Sequence, residues 1–483
     1  MTQFTRRQFT QLTASAALSR ASFGSLTDKK GATRPNIILL LTDDQRWDTL
    51  GCMGNRIIKT AAVDRLAREG CLFKNSFVTT SICAPSRVSI LTGLYARCHG
   101  IHEFDTPLAG EGLQHSYPLV LRRAGYRTGF IGKYGAAGGG VASNDLTLLP
   151  TDSYDYFKGL PGQGNYFPDR KDPKRHLTRI IGDQAVEFLQ GCSESQPFCL
   201  SISFKAPHVQ GLGQWLNDPA YDHLYENVVI PPPEHAAMRY FEALPSFLKQ
   251  DYAGRVRWEG YTKTMTYEDI VKKYYRLITG VDVQVGRILD ELAATQLAQN
   301  TVVIFTSDNG YLLGDRGLID KYVMYEESIR TPLIVMDPRA SDARGIVREQ
   351  MVLNIDIAPT ILELAGVDVP AWMTGRSLRP LLGRSKPSWR GEWFYEHLFE
   401  LRRPEDFPKS EGIRTTRWKY TRWIDQKPPY EQLFDLKTDP DELNNMAGSA
   451  AHQGELQTMR AKWQRWKQAL AKWNRATAWH DPV

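Results

Sequence analysis

Apolar runs that end abruptly in polar residues punctuate the first two thirds of the chain. "NIILLLTDDQ" runs into Asp43 and Asp44, "YRTGFIGK" into Lys133, "PFCLSISFKAPH" into His208, and "TVVIFTSDNG" into Asp308 and Asn309. Each run has the length of a buried strand, whereas the intervening stretches repeat apolar residues at three and four. "AAVDRLAREG" stops at Gly70, and Ile270, Tyr274, Leu277, Val281, Val285, Ile288 and Leu292 form one long helical stripe. Alternating strands and helices predict an α/β fold, a large and mostly parallel sheet flanked by helices on both faces. Ligands of such sheets gather beyond the carboxyl ends of the strands, so the polar residues at these ends are expected to converge although they are far apart in sequence.

Beyond "LRPLLGRSKPSWRG" the pattern changes. "EWFYEHLF", "GIRTTRWKYTRW" and "EQLFDL" read as short strands, followed by a helix that carries Leu456, Met459, Trp463, Trp466, Leu470 and Trp473 on one face. This predicts a smaller antiparallel sheet with one packed helix over residues 385–483, after a large domain over 34–384. The tryptophan stripe reads as core, because large apolar residues at helical spacing are usually buried. The Pro-rich "VVIPPPEHA" (228–236) reads as an exposed connection within the large domain.

Composition adds limits. Of 483 residues, 42% are hydrophobic and 24% charged, values of an ordinary globular protein, and the net charge of +6 is too mild and too dispersed for a nucleic-acid partner. The twin arginine Arg6-Arg7, ahead of a weakly apolar Ala/Ser-rich stretch, makes residues 1–33 resemble a twin-arginine export signal, which implies a periplasmic or secreted protein. "NIILLL" is the longest apolar run and is far short of the ~20 residues that span a bilayer, so no membrane span is expected. Export would permit disulfides among the six cysteines; Cys192 and Cys199 are the nearest pair, with the pairing left open.

Asp43, Asp44, Asp308 and Asn309 offer hard oxygen donors, suited to Ca²⁺ or Mg²⁺ rather than to a softer metal. Cys83 opens the helical stretch "CAPSRVSILTG", where free N–H groups and the positive end of the helix dipole favour an anion.

"CAPSR" followed by "VSILTG" resembles the C-x-P-x-R signature of type I sulfatases, members of the alkaline phosphatase superfamily. The likeness extends through "LTDDQ", "GK" (132–133), "APH" (206–208), "TSDNG", "DK" and "EESIRTPLIV" around Lys321, and "LFDLKTDPDELNNMA". It implies an alkaline-phosphatase-like domain built on a large mixed sheet, with a small C-terminal sheet domain. It also implies one Ca²⁺, sometimes Mg²⁺, held by Asp43, Asp44, residue 83, Asp308 and Asn309, and the hydrolysis of sulfate esters. Cys83 would be oxidised to formylglycine by a formylglycine-generating enzyme, and its hydrate would carry one hydroxyl to attack sulfur and a second to expel the sulfate. Arg87 resembles the arginine that holds the aldehyde hydrate. Lys133, His208 and Lys321 would bind sulfate, with Lys321 or His208 protonating the leaving oxygen.

"GLPGQGNYFPD" and "YEHLFE" are similar to bacterial sulfatases that act on glycosaminoglycan or mucin sugars, including N-acetylglucosamine 6-sulfate, and a sulfated carbohydrate is the implied substrate. His397 would then either reach the sugar from the small domain or sit in the core. One departure stands out: "GKYGAAGGG" places Gly135 where the family usually has a histidine. The departure leaves open another base, with His99 a candidate, or a non-catalytic binder of sulfated glycans. A phosphodiesterase or phosphonate monoester hydrolase of the same superfamily is the remaining alternative.

Overall fold

The computed structural model describes residues 34–477, except 141, 170, 212, 341, 343 and 400–403. The export signal expected over 1–33 therefore lies outside the described residues. The described residues from 35 onward form one compact unit that holds two main sheets.

The strands of the large sheet are β1 (Asn36–Asp43), β2 (Cys71–Phe77), β3 (Arg127–Lys133), β4 (Tyr156–Leu160), β5 (Phe198–Pro207) and β6 (Thr301–Ser307). A two-stranded ribbon follows, β7 (Leu312–Leu313) with β8 (Ile319–Asp320), and then β9 (Arg330–Met336) and β10 (Ile346–Leu353) rejoin the large sheet. Its order is β10-β2-β9-β6-β1-β5-β3-β4. Every pairing is parallel except those of β9 with β2 and with β6. The sheet is thus mixed but mostly parallel, and the carboxyl ends of β1, β3, β5 and β6 share one edge.

The continuous apolar run of β1 is explained by burial on both faces. Ile38 and Leu40 join a cluster with Ile181 and Phe188 of the helix Leu177–Gln190 and with Tyr274, Val281 and Ile288 of the helix Tyr267–Ala294. Ile37, Leu39 and Leu41 join a second cluster on the opposite face, with Val88, Ile90 and Leu91 of the helix Cys83–Thr92 and with Ile361 and Leu362. Side chains alternate across a strand, so one uninterrupted run feeds both layers.

The second sheet is antiparallel, in the order β11 (Glu392–His397), β12 (Ser410–Thr415), β13 (Trp418–Trp423) and β14 (Tyr430–Asp435). Its Trp393, Tyr395, Ile413, Tyr420 and Leu433 pack with Leu456, Met459 and Leu470 of the helix Gln453–Thr477. Trp463 and Trp466 lie partly buried against this core, and their indole N–H groups donate to Glu411 Oε2 and Glu392 Oε1, each at 2.9 Å. The stripe is therefore core with polar ends; the side chain of Trp473 lies outside the described residues.

The Pro-rich connection is largely exposed, with Val229 at 77%. It is tethered by His235, whose Nδ1 is 2.7 Å from Glu327 Oε1 and whose Nε2 is 2.9 Å from Asp441 Oδ1. Burial would lower the pKa of this imidazole, but hydrogen bonds to Asp315, Glu327 and Asp441 lift it to about 11, so His235 is a cation there. All six cysteines are free thiols, including Cys192 and Cys199.

Candidate active site

A regular strand would send consecutive side chains to opposite faces. At the end of β1 the chain instead turns through Asp44 with φ 63°, a left-handed conformation that aspartate tolerates better than most residues. The turn is fixed from two sides. Tyr274 donates to the Asp44 carbonyl at 2.5 Å, while Asp44 N–H and Gln45 N–H donate to Asp308 Oδ1 (3.1 Å) and Ser307 Oγ (3.0 Å) at the end of β6. As a result one ligand atom from each of Asp43, Asp44, Cys83 and His208 lies within 4.8 Å of the others.

Cys83 arrives from β2, which ends at Phe77 on the same edge, and it is the first residue of the helix Cys83–Thr92. Pro85 in the first turn is no obstacle, because an N–H there has no intrahelical partner. Asn354 donates to Ser86 Oγ at 2.9 Å, and Ser86 in turn donates to the Asp308 carbonyl, which holds the helix start against the end of β6. Gly93, at φ 70°, terminates the helix.

The charges interlock. Lys321 Nζ is 3.0 Å from Cys83 Sγ and bonded to Asp44 Oδ1, and Cys83 Sγ is 3.4 Å from Asp43 Oδ1. Lys133 Nζ bonds Asp43 Oδ2 and Gln163 Oε1, the latter at 2.6 Å. Arg87 Nε donates to Asp308 Oδ2 at 2.8 Å, its Nη1 to the Lys133 carbonyl at 2.7 Å, and its Nη2 faces Asp43 Oδ2 at 3.2 Å. The arginine thus braces two carboxylates and the end of β3. Asn309 Nδ2 donates to Asp44 Oδ1 at 2.6 Å.

Burial would raise the pKa of Asp43, but Lys133, His208, Arg87 and Lys321 together hold it well below the usual carboxylate range. Burial and the Asp43 charge push Asp308 up to about 6, and burial raises Asp44. Burial and Asp43 push the Cys83 thiol up to about 12. Lys321 is held well above its ordinary value by Asp44 and Cys83, against the effect of burial. Among the described residues, the buried oxygens Asp44 Oδ2 and Asn309 Oδ1 have no hydrogen-bond donor. Orphaned acceptors among three carboxylates are an environment that a hard cation satisfies, so the donor set fits a divalent metal.

The site opens into a cleft of ≈ 390 Å³ whose lining includes Cys83, Lys205, His208, Lys321 and Tyr322, with an aromatic rim of Phe104, Phe399 and Phe407. His208 Nδ1 is 2.5 Å from the Val209 carbonyl; a carbonyl only accepts, so the ring proton sits on Nδ1 and leaves Nε2 free, 3.5 Å from Asp44 Oδ2. Burial depresses the pKa of His208 well below its ordinary value.

Three positions weighed from the sequence fall elsewhere. His397 is 0% exposed, packed against the rings of Tyr322 and Phe399, and does not line the cleft. His99 is turned inward, with Nε2 3.1 Å from Ser89 Oγ and Nδ1 accepting from Ile101 N–H at 3.2 Å. Gly135, at φ 71°, lies against Arg87, and a Cβ built there would come within 2.5 Å of Arg87 Cδ. The structure also brings in residues that the motifs do not single out. Gln163 and Lys205 lie inside conspicuous stretches without being catalytic-looking, and Arg257, ion-paired to Asp320, comes from the helix Ala253–Thr262, which carries no signal at all.

A mostly parallel sheet with a cysteine-headed helix at its carboxyl edge is the arrangement that the sulfatase motifs imply, and comparison with known proteins shows the family. The family described as Sulfatase matches residues 35–367, and the C-terminal family of N-sulphoglucosamine sulphohydrolase matches 314–469. The chain belongs to the sulfatase family and is a sulfuric ester hydrolase. An N-acetylglucosamine-6-O-sulfatase of Bacteroides thetaiotaomicron is 30% identical, over 90% of this chain and 87% of that protein. A solved structure of a protein with its substrate D-glucosamine-2-N,6-O-disulfate superposes with a TM-score of 0.76 at 26% identity, covering 93% of this chain and all of that one. The phosphonate monoester hydrolase of Agrobacterium radiobacter shares the fold, with a TM-score of 0.77 at 24% identity over 90% of this chain and 96% of that one. Among the described residues no helix is long and apolar enough to cross a membrane.

Proposed function

We propose that this sulfatase removes sulfate from an amino-sugar ester of a glycan, of the N-acetylglucosamine 6-sulfate class, through a formylglycine made from Cys83, after export by its twin-arginine segment. The observation that carries the reading is the position of Cys83 Sγ, on the cleft surface between Asp43 and Lys321. The names of the relatives support the sugar class. Formylglycine, once water has added to its aldehyde, would supply two hydroxyls on one carbon, one to attack sulfur as the alcohol leaves and one to collapse back to the aldehyde as sulfate leaves. A divalent cation, Ca²⁺ or Mg²⁺ by the hardness of its donors, would be held by Asp43, Asp44, Asp308, Asn309 and residue 83 and would supply Lewis-acid stabilisation of the sulfate oxygens.

The chain's own side chains do the rest. Lys321, kept cationic by Asp44, is placed beside residue 83 to meet the sulfate and to donate a proton to the leaving oxygen. His208 lines the cleft with an unprotonated Nε2, 3.5 Å from Asp44 Oδ2, which would accept a proton or a hydrogen bond from a hydroxyl of the sugar rather than bond the sulfate oxygens. Arg87 and Lys133 brace Asp43 and Asp308 from behind.

The test is mass spectrometry of the peptide holding residue 83 after co-expression with a formylglycine-generating enzyme, followed by sulfate release from N-acetylglucosamine 6-sulfate. The expected result is the mass of the aldehyde or its hydrate, with sulfate released. Faster turnover of a phosphodiester or phosphonate ester, or sugar binding with no turnover of any sulfate ester, would overturn the reading. The cation has its own readout. At a hundredfold excess over its Kd, Ca²⁺ is expected to raise the melting midpoint of the metal-stripped protein by about 3 °C, and Asp308→Asn to lose that shift. An unchanged midpoint in differential scanning fluorimetry would count against the proposed ligands.

A further inference from the structure

Two lysines of the site are already matched to a carboxylate, Lys133 behind the cleft to Asp43 and Lys321 on its lining to Asp44. Lys205 is not. It lies in β5, only 2% exposed, yet it lines the cleft, and among the described residues its ammonium has no ion-pair or hydrogen-bond partner. Its neighbours are the ring of Tyr166, with the centroid 5.1 Å from Nζ, and Gly164, where a Cβ would stand 4.0 Å from Lys205 Cδ. Burial and the charge of Lys133 depress its pKa to about 8, and the opposing charges of Asp43 and Asp44 do not restore it. Gln210, which also lines the cleft and meets the same Tyr166, accepts from Tyr166 N–H at 2.8 Å through Oε1, which leaves its amide N–H groups to donate elsewhere. The other cleft cation, Arg257, is ion-paired to Asp320.

A buried ammonium without a partner is costly to keep charged, and a positive group with a free donor beside it on a cleft wall suits a second anion. The reacting sulfate has to approach Cys83, where Lys321 stands at 3.0 Å, whereas Lys205 reaches the cleft over the buried ring of Tyr166 and shares its lining with Gly164 and Gln210. We propose that Lys205, with Gln210, binds a second anionic substituent of the substrate, so that the preferred substrate is a multiply charged sugar rather than a monosulfated one. The second anion is a sulfate or sulfamate on the same ring, or the carboxylate of an adjoining uronic acid. The proposal rests on sulfate-ester hydrolysis at residue 83.

The test compares kcat/KM for N-acetylglucosamine 6-sulfate, for N-sulfoglucosamine 6-sulfate, and for a disaccharide joining the monosulfated sugar to a uronic acid. Wild type, Lys205→Met and Lys205→Arg are measured on each. Wild type is expected to prefer one of the doubly charged sugars by about tenfold, the scale of one charge-assisted contact. The sugar that is preferred identifies the source of the second anion. Lys205→Met should erase the preference through KM while leaving the monosulfated sugar within about threefold, and Lys205→Arg should keep it. Because it removes a lone buried charge, Lys205→Met should melt no lower than wild type; a marked fall would indicate a structural role and overturn the proposal. Equal losses on all three esters would place Lys205 on the reacting sulfate, and no wild-type preference would remove the second subsite; either result overturns it. Failure of the underlying reading looks different: wild type carrying formylglycine would release sulfate from none of the sugars nor from an aryl sulfate, and the Lys205 proposal would fall with it.

Discussion

Cys83→Ala is expected to abolish sulfate release, by ~10⁴-fold or more as for removal of other nucleophiles, while the protein melts within about 2 °C of wild type. The two halves follow from different features of the site. Sγ holds a weak contact to Asp43 at 3.4 Å and a contact to Lys321 at 3.0 Å, and among the described residues no other hydrogen bond anchors it. The helix it opens is secured instead by Ser86, Asn354 and a wholly buried ten-residue face, all of which survive the substitution. Alanine is also a good first-turn residue. Turnover, by contrast, has no substitute: among the described residues lining the cleft there is no other thiol, and no serine or threonine hydroxyl. Sulfate release from an aryl sulfate and from the sugar ester, alongside a thermal melt, decides the matter. Activity that survived in a folded variant would sink the assignment of residue 83.

The convergence of Asp43, Lys133, His208 and Asp308 is legible in the sequence because parallel strands deliver their carboxyl ends to one edge, so that a one-dimensional pattern carries three-dimensional information. Cys83 and Lys321 are legible only through motifs. Neither stands at the end of a strand of the large sheet, and nothing in periodicity brings Lys321, in the turn after β8, to within 3.0 Å of the thiol. The cleft wall is less legible still. Lys205 sits inside an apolar run three residues before His208, where a lysine reads as the frayed end of a strand. Phe104, Phe399 and Phe407 read as ordinary core residues, and they do pack in one hydrophobic cluster, but the same cluster also lines the cleft. His397 shows the limit from the other side. In β11 five consecutive residues, Trp393 to His397, are buried on both faces, so alternation cannot tell which side meets the substrate. The direction of β9 is equally hidden, because a buried strand of either orientation is an apolar run.

Gly135→His, the change that would return the family's histidine to its usual place, is expected to lower kcat/KM by ~10²-fold or more, the scale of a small misplacement of catalytic groups. Two independent costs oppose it. The backbone at 135 is left-handed, at φ 71°, where a residue with a Cβ is penalised by about 1–2 kcal/mol. The added Cβ would also meet Arg87 Cδ at 2.5 Å. Arg87 cannot move cheaply, since its guanidinium is shared among Asp308, Asp43, Ser203 and the Lys133 carbonyl. Pushing it aside would release the two carboxylates that the cation is proposed to need and loosen the end of β3. The harm lies in the Cβ rather than in the imidazole, so Gly135→Ala should lose nearly as much. Should histidine raise turnover where alanine lowers it, the glycine would mark a lost catalytic group with its space still open, and the close packing of Gly135 on Arg87 would not be the reason for its presence.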